Sequence, residues 1–284
     1  MTGTGGNEKQ IVYWNDVVGP TWVEFQHQLD AQISPLGRAA MARLAPRPGE
    51  YILDVGCGCG QTTLEIGRAI GDRGRATGID ISEPMLGVAR TRQATAALPQ
   101  VEFRRQDAQT EPFAPGCADA WYSRFGVMFF ADPIAAFRNL RAALKPGGRL
   151  AFVCWRSVDD NPWMQAPYEA ARSLLPASPP ADPFAPGPHA YADPGRVTAI
   201  LDAAGYTGVA LEPYDALVGG ADVEAATRLS LRVGPLGAAL REHPGLADAV
   251  AGPVRELLAR HETPGGVLMR AGVWIVTARN PAAS

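Results

Sequence analysis

Three glycines alternate with other residues in Leu53-Asp54-Val55-Gly56-Cys57-Gly58-Cys59-Gly60. An apolar run, Tyr51-Ile52-Leu53, leads into them, and a helical pattern starts at Gln61-Thr62-Thr63-Leu64. This reads as a buried strand, a tight turn and a helix N-terminus. Glycines let such a turn bend sharply and let a ligand lie against bare backbone. A dinucleotide fingerprint, G-x-G-x-x-G, fails because position 61 is Gln, and a phosphate-binding P-loop fails because no Lys follows the glycines. Two further carboxylates stand where a nucleoside would need them. Asp80 closes the second apolar run and could accept two hydrogen bonds from a ribose diol. NAD-binding folds also place an acid there, so Asp80 alone does not discriminate. Asp107, in Arg105-Gln106-Asp107-Ala108, could accept from an adenine amino group, or be a solvated turn residue. Ile81 could pack on the adenine face.

The elements that must position these residues alternate. Strands are expected at 51–55, 75–81, 101–104, 118–123 and 150–155. Helices are expected at 61–70, from Ser82 as cap to about Ala97, and from Asp132-Pro133 to the stop at Gly147-Gly148. Strands alternating with helices predict an α/β fold with a mainly parallel sheet covered on both faces. Ligands of such sheets bind at the carboxyl ends of the strands, where every residue above falls. Residues 10–45 read as helical with a break at Gly19-Pro20. Beyond 156 the pattern loosens: a Pro- and Asp-rich stretch with a helix near Trp163 to Leu175, a helix at 193–204, a strand from Tyr206 to Tyr214, helix at 221–262 and a last strand over Val267 to Ala278.

The chain has 284 residues, is 46% hydrophobic and 19% charged, and carries a net charge of -3. That length suits one large α/β domain with insertions. The charge leaves no overall basic footprint, which argues against nucleic acid as partner. No apolar run is long enough to span a membrane, and the polar, flexible start Met1–Gly6 lacks the regions of a signal peptide. Cys57, Cys59, Cys117 and Cys154 form neither a disulfide framework nor a zinc spacing, so they read as small buried residues in a reducing cytoplasm, and no metal is expected.

Taken together, these segments resemble motifs I to III of the class I S-adenosylmethionine (SAM) methyltransferases, in order and spacing. Ser123-Arg124-Phe125-Gly126-Val127-Met128-Phe129-Phe130 with Asp132-Pro133 is similar to their segment after the fourth strand, and Leu144-Lys145-Pro146-Gly147-Gly148-Arg149-Leu150 to their turn into the fifth. The branch most similar holds the ubiquinone and menaquinone C-methyltransferases and many small-molecule O-, N- and C-methyltransferases. The resemblance covers about residues 45 to 155. It implies a Rossmann-like, seven-stranded, mostly parallel sheet whose last strand, 267–278, is antiparallel. It further implies an N-terminal helical segment, 1–45, closing over the cofactor, and a methyltransferase domain, 46–284, with lid insertions at about 156–192 and 219–264.

Carried over by position, the resemblance implies that Asp54, Gly56, Cys57, Gly58 and Gly60 hold the methionine portion of SAM. Asp80 would bind ribose, Ile81 and Met85 would flank adenine, and Asp107 with Ala108 would read its edge. Ser123 would face the methionine end. Trp14 and Trp22, with Tyr13, could close over the sulfonium by cation–π contact, or simply pack helices. For the acceptor side the candidates are His27, His189 and Arg124. Each histidine has a packing or surface alternative, and Arg124 could bind an anion or brace its loop. The expected activity is methyl transfer to an O, N or C atom of a small-molecule metabolite, in secondary metabolism, with a homodimer left open. The alternatives are SAM used without methyl transfer, a quinone-pathway C-methyltransferase, and a non-catalytic binding module.

Overall fold

The computed structural model describes residues 7–177 and 182–282. The start expected to be flexible, 1–6, residues 178–181 of the first expected lid, and 283–284 lie outside the described residues. Eight strands form: β1 Tyr51–Val55, β2 Arg75–Asp80, β3 Val101–Arg105, β4 Ala118–Arg124, β5 Leu144–Trp155, β6 Thr207–Gly219, β7 Glu262–Thr263 and β8 Gly266–Arg279. The main sheet runs β3-β2-β1-β4-β5-β8-β6, with β7 paired only to β8. Strands β1 to β5 are mutually parallel. β8 is antiparallel to both β5 and β6, so the last long strand is the reversed one. The order runs outward from β1 in one direction and from β4 in the other. The crevice at the carboxyl ends of β1 and β4 is therefore the topological switch point, where ligands of such sheets bind.

The apolar runs behave as burial requires. Ile52, Leu53 and Val55 of β1 are buried, as are Trp121, Tyr122, Phe137 and Phe152 in the same core. Helix Gln26–Leu44 packs on β5, β6 and β8, helix Gln61–Ile70 on β2, and helix Glu83–Ala96 on β3. Three aspartates cap helices through backbone N–H groups: Asp132 accepts from Ala135, Asp193 from Arg196 and Asp222 from Ala225.

Several sequence expectations shift. Ser82 makes no cap hydrogen bond; its Oγ donates instead to the Trp14 carbonyl at 2.8 Å. The helix expected to run to Gly147 ends at Ala143, because Pro146 disfavours helical backbone at Lys145. Leu144 already pairs with Ala118, and the register then shifts so that Arg149 pairs with Ala120. β6 reaches Gly219, beyond the expected Tyr214. The stretch 221–262 divides into helices Val223–Ser230, Gly234–Glu242 and Ala247–Ala259, interrupted where Pro235 and Pro244 remove backbone donors. These helices, with helix Pro162–Ala171, enclose a second apolar cluster of Ala171, Leu236, Val250, Leu258, Val267 and Met269.

Candidate functional site

The glycine turn is built by hydrogen bonding to its neighbour strand. Gly56 and Cys57 both donate their N–H to the Ile79 carbonyl, at 2.9 and 3.1 Å. Gly56 sits at φ +68, and a Cβ there would stand 2.7 Å from the Gly126 Cα. The turn is thus pressed against the segment after β4, which only glycine permits. Gly56, Cys57, Gly58 and Cys59 line one large cavity of about 460 Å³. Gly60 does not; it faces inward at φ +82, where a Cβ would meet the Phe103 ring at 2.6 Å. Burial pushes the Cys57 thiol well up and the Cys59 thiol to about 12, so neither is a thiolate at neutral pH.

Three carboxylates surround the turn at different depths. Asp54 is fully buried beneath it, and its Oδ2 accepts from the Thr62 and Thr63 hydroxyls at 2.6 Å each. Its Oδ1 has no partner among the described residues. Burial raises its pKa to about 6. Asp54 therefore braces the turn from behind and does not line the cavity. Asp80 does line it: its Oδ2 accepts from the Gly58 N–H and its Oδ1 from the Ser82 N–H, both at 2.8 Å. Burial raises its pKa while these backbone donors hold it down. Each oxygen keeps lone-pair capacity for a hydroxyl donor. Asp107 accepts from the Gln109 N–H at 2.9 Å, the Thr110 hydroxyl at 3.0 Å and Asn7 Nδ2 at 3.3 Å. Ala108, Ile81 and Met85 complete this end of the wall.

The N-terminal segment lies across the same end. Asn15 Nδ2 donates to the Ile81 carbonyl and its Oδ1 accepts from the Glu83 N–H, both at 3.0 Å. Trp14 is met edge to face by Tyr13, Trp22 and Phe129, with centroids 5.6, 5.7 and 4.9 Å away. All four rings reach the cavity. Phe125 also lines it, at φ +63, an uncommon backbone state for a non-glycine residue. Its ring stacks on Trp155 at 3.9 Å.

Among the acceptor-side candidates only His189 lines the cavity with an unengaged nitrogen. Its Nδ1 lies 3.2 Å from the Arg156 carbonyl, so in the neutral ring Nδ1 carries the hydrogen. Burial lowers its pKa, and the carbonyl contact partly restores it. Gly187 donates its N–H to the Met128 carbonyl at 3.1 Å, which pins this stretch over the ends of β4 and β5. His27 is exposed on helix Gln26–Leu44 and lies off the cavity, while Gln26, Leu29 and Asp30 of that helix turn inward. Arg124 lines the cavity but is already committed, donating to Gln61 Oε1 at 2.6 Å and Asp30 Oδ1 at 2.9 Å. Ser123 is buried off the cavity; its Oγ donates to the Val55 carbonyl at 2.7 Å and accepts from the Gly126 N–H at 3.2 Å. A buried hydroxyl takes the nearest acceptor, and here that acceptor belongs to β1.

The residues present suit SAM, the ligand implied by the sequence resemblance. The wall offers bare turn backbone, a diol acceptor in Asp80, an amine acceptor in Asp107 and aromatic faces for a cation. Sequence reasoning missed Asn7, Asp30 and Phe129, and the far wall formed by Trp155, Met164, Leu236 and Met269. Among the described residues no group of His, Cys, Asp and Glu could hold a metal ion, and no helix is long and apolar enough to cross a membrane.

A family model described as a methyltransferase domain matches residues 52–148. An O-methyltransferase of Pyrenophora dematioidea is 33% identical over 50% of this chain and 51% of its own length. A demethylmenaquinone methyltransferase of Lactococcus lactis subsp. lactis is 31% identical over 40% of this chain and 45% of its own. The chain spans about half the length of these curated relatives. The solved structure of the cyclase SpnF superposes with a TM-score of 0.54 at 23% identity, covering 88% of this chain and 82% of that one, which is a likeness of fold. Residues 52–148 thus match a methyltransferase domain, and the glycine turn at the switch point of the β3-β2-β1-β4-β5-β8-β6 sheet lies within the matched span.

Proposed function

We propose that the whole protein is a SAM-dependent methyltransferase that methylates a small-molecule metabolite in the cytoplasm. The observation that carries this reading is the convergence of the glycine turn, Asp80 and Asp107 on one cavity. Bound SAM supplies a methyl group already activated by a sulfonium. The chain's residues then have positioning work. Asp80 takes the ribose diol between its two oxygens, and Asp107 takes the adenine amino group in place of Asn7. The turn backbone from Gly56 to Gly58 bears the methionine end, and Trp14 and Trp22 shield the cation from water. Holding acceptor and methyl in line replaces an encounter in solution by a fixed geometry. The N-terminal helical segment closes over the cofactor on this reading, and the stretches about 156–192 and 219–264 enclose the acceptor.

Similarity to an O-methyltransferase and to a demethylmenaquinone methyltransferase supports a small organic acceptor, in secondary metabolism or a quinone pathway. Four unpaired cysteines are compatible with a reducing compartment. The test is calorimetric binding of S-adenosylhomocysteine to the wild type and to Asp80→Ala. The expected result is saturable binding that the substitution weakens by roughly 100-fold, the loss of charge-assisted hydrogen bonds. Equal affinity in the two proteins would remove Asp80 from the site.

A further inference from the structure

The cavity does not end at the cofactor wall. It continues along the seam between the main core and the second apolar cluster. Along this seam its lining includes Trp163, Met164, Leu236, Leu258 and Met269. Trp163 lies 5.2 Å from Trp155, so indole surface faces this chamber, and the two methionines give it an adaptable lining. Asp30, Arg124 and Arg232 of the lining are engaged in ion pairs. Asp30 is shared by Arg92 and Arg124 at 2.9 Å each, and Arg232 pairs with Glu24 at 2.9 Å. Arg241 also lines the cavity and is exposed. A small charged acceptor would find apolar surface and no free counter-charge at the buried end, which is costly.

One titratable side chain of this lining keeps a free nitrogen. His189 Nδ1 is tied to the Arg156 carbonyl, and Nε2 has no protein partner among the described residues. The Met128 contact from Gly187 ties the His189 stretch to the segment after β4, and Met128 and His189 line the same cavity as the glycine turn.

Resting on the methyltransferase reading, we propose that the acceptor is an uncharged aromatic compound bearing a hydroxyl group, and that His189 Nε2 is its general base. The ring system lies in the chamber against Trp163 and the methionines. The hydroxyl proton passes to Nε2 as an oxygen lone pair bonds to the methyl carbon. The carbon–sulfur bond breaks with its electron pair going to sulfur, leaving neutral S-adenosylhomocysteine, and the imidazolium releases its proton to water. A base in the unprotonated form at neutral pH agrees with the lowered pKa of this histidine.

The experiment presents one-, two- and three-ring phenols, 2-naphthol among them, with methyl-labelled SAM. Naphthalene-2-carboxylate, 2-naphthylamine and ethanolamine are the comparators. S-adenosylhomocysteine binding is measured first by calorimetry on the wild type and on His189→Asn, which keeps a donor for the Arg156 carbonyl but removes the base. The expected products are methyl ethers of the multi-ring phenols. His189→Asn should bind S-adenosylhomocysteine normally, keep the acceptor KM, and lose kcat by roughly 100-fold or more at neutral pH. The deficit should shrink as pH rises toward the phenol's own ionisation, a trend that a merely structural histidine would not produce. A wild-type pH profile in His189→Asn overturns the base. Label on the comparators, or on no phenol in protein that binds S-adenosylhomocysteine, overturns the acceptor class. Absence of S-adenosylhomocysteine binding in the wild type would instead overturn the methyltransferase reading itself.

Discussion

Asp54 and Asp80 are 26 residues apart by number, yet both crowd the glycine turn, and burial treats them differently. Asp54 is fully buried, with one oxygen satisfied by protein donors among the described residues. With its pKa raised from 3.8 to about 6, it favours the folded state fully below 3.8, and that contribution is lost as pH rises through about 6. The loss amounts to about 3 kcal/mol. Asp54→Asn keeps an oxygen for Thr62 and Thr63 and removes the titration. Urea unfolding across this window should show wild-type stability falling relative to the variant; parallel curves would mean Asp54 is not buried as described. Gly60→Ala should cost about 2 to 3 kcal/mol, since the residue is left-handed and its Cβ has no room beside Phe103. A melting temperature equal to wild type would contradict that. The placement of Gly56, Gly58, Asp80 and Asp107 along one cavity was legible in the sequence because local spacing at strand ends sets it, whereas that of Asp54 and Gly60, which face away from it, was not. Ser123, Arg124 and His27 were not, because their roles are decided by partners distant in the chain. Val55, Asp30 and Gln61 claim the first two, and helix phase turns His27 to solvent.

Helix Gln26–Leu44 shows how an element is fixed to the sheet by one side chain. Asp30 joins Arg92 of helix Glu83–Ala96 to Arg124 of β4, and the Tyr122 hydroxyl donates to the Gly37 carbonyl at 2.8 Å. Asp30→Ala leaves two partly buried guanidinium groups without their anion and should destabilise by about 2 kcal/mol, somewhat below the cost for a fully buried pair. Chemical denaturation measures this, and an unchanged midpoint would mean that solvent screens the cluster. Nothing in the sequence marks Asp30, since its partners stand 62 and 94 positions away. Strand and helix existence was legible through β5, where apolar runs and glycine stops alternate. The ends were less so: Pro146 stops a helix early, and β6 extends along β8 because pairing rather than composition sets its length. The stretch 221–262 read as one helical run, and Pro235 and Pro244 mark where it divides.

At the scale of the molecule, the site is a seam between two apolar clusters, with the N-terminal segment laid across one end. Ligand binding should therefore couple to global stability and to the N-terminal segment at once. S-adenosylhomocysteine at about 100 times its Kd should add roughly 2.7 kcal/mol to unfolding. It should also slow hydrogen exchange in residues 8–24, which contact Ile81, Ser82 and Glu83. Protection confined to the glycine turn would show that the N-terminal segment does not close over the cofactor. Overall architecture was legible because one motif set predicts a whole sheet. The far wall of the cavity was not, because it comes from helices and strands separated by about a hundred residues that share no motif. The most direct measurement of the central claim is a mass balance with methyl-labelled SAM, purified protein and a size-fractionated small-molecule extract. Label is expected in the small-molecule fraction, with one S-adenosylhomocysteine released per methyl transferred. Label in macromolecules, or turnover with no S-adenosylhomocysteine released, would contradict it.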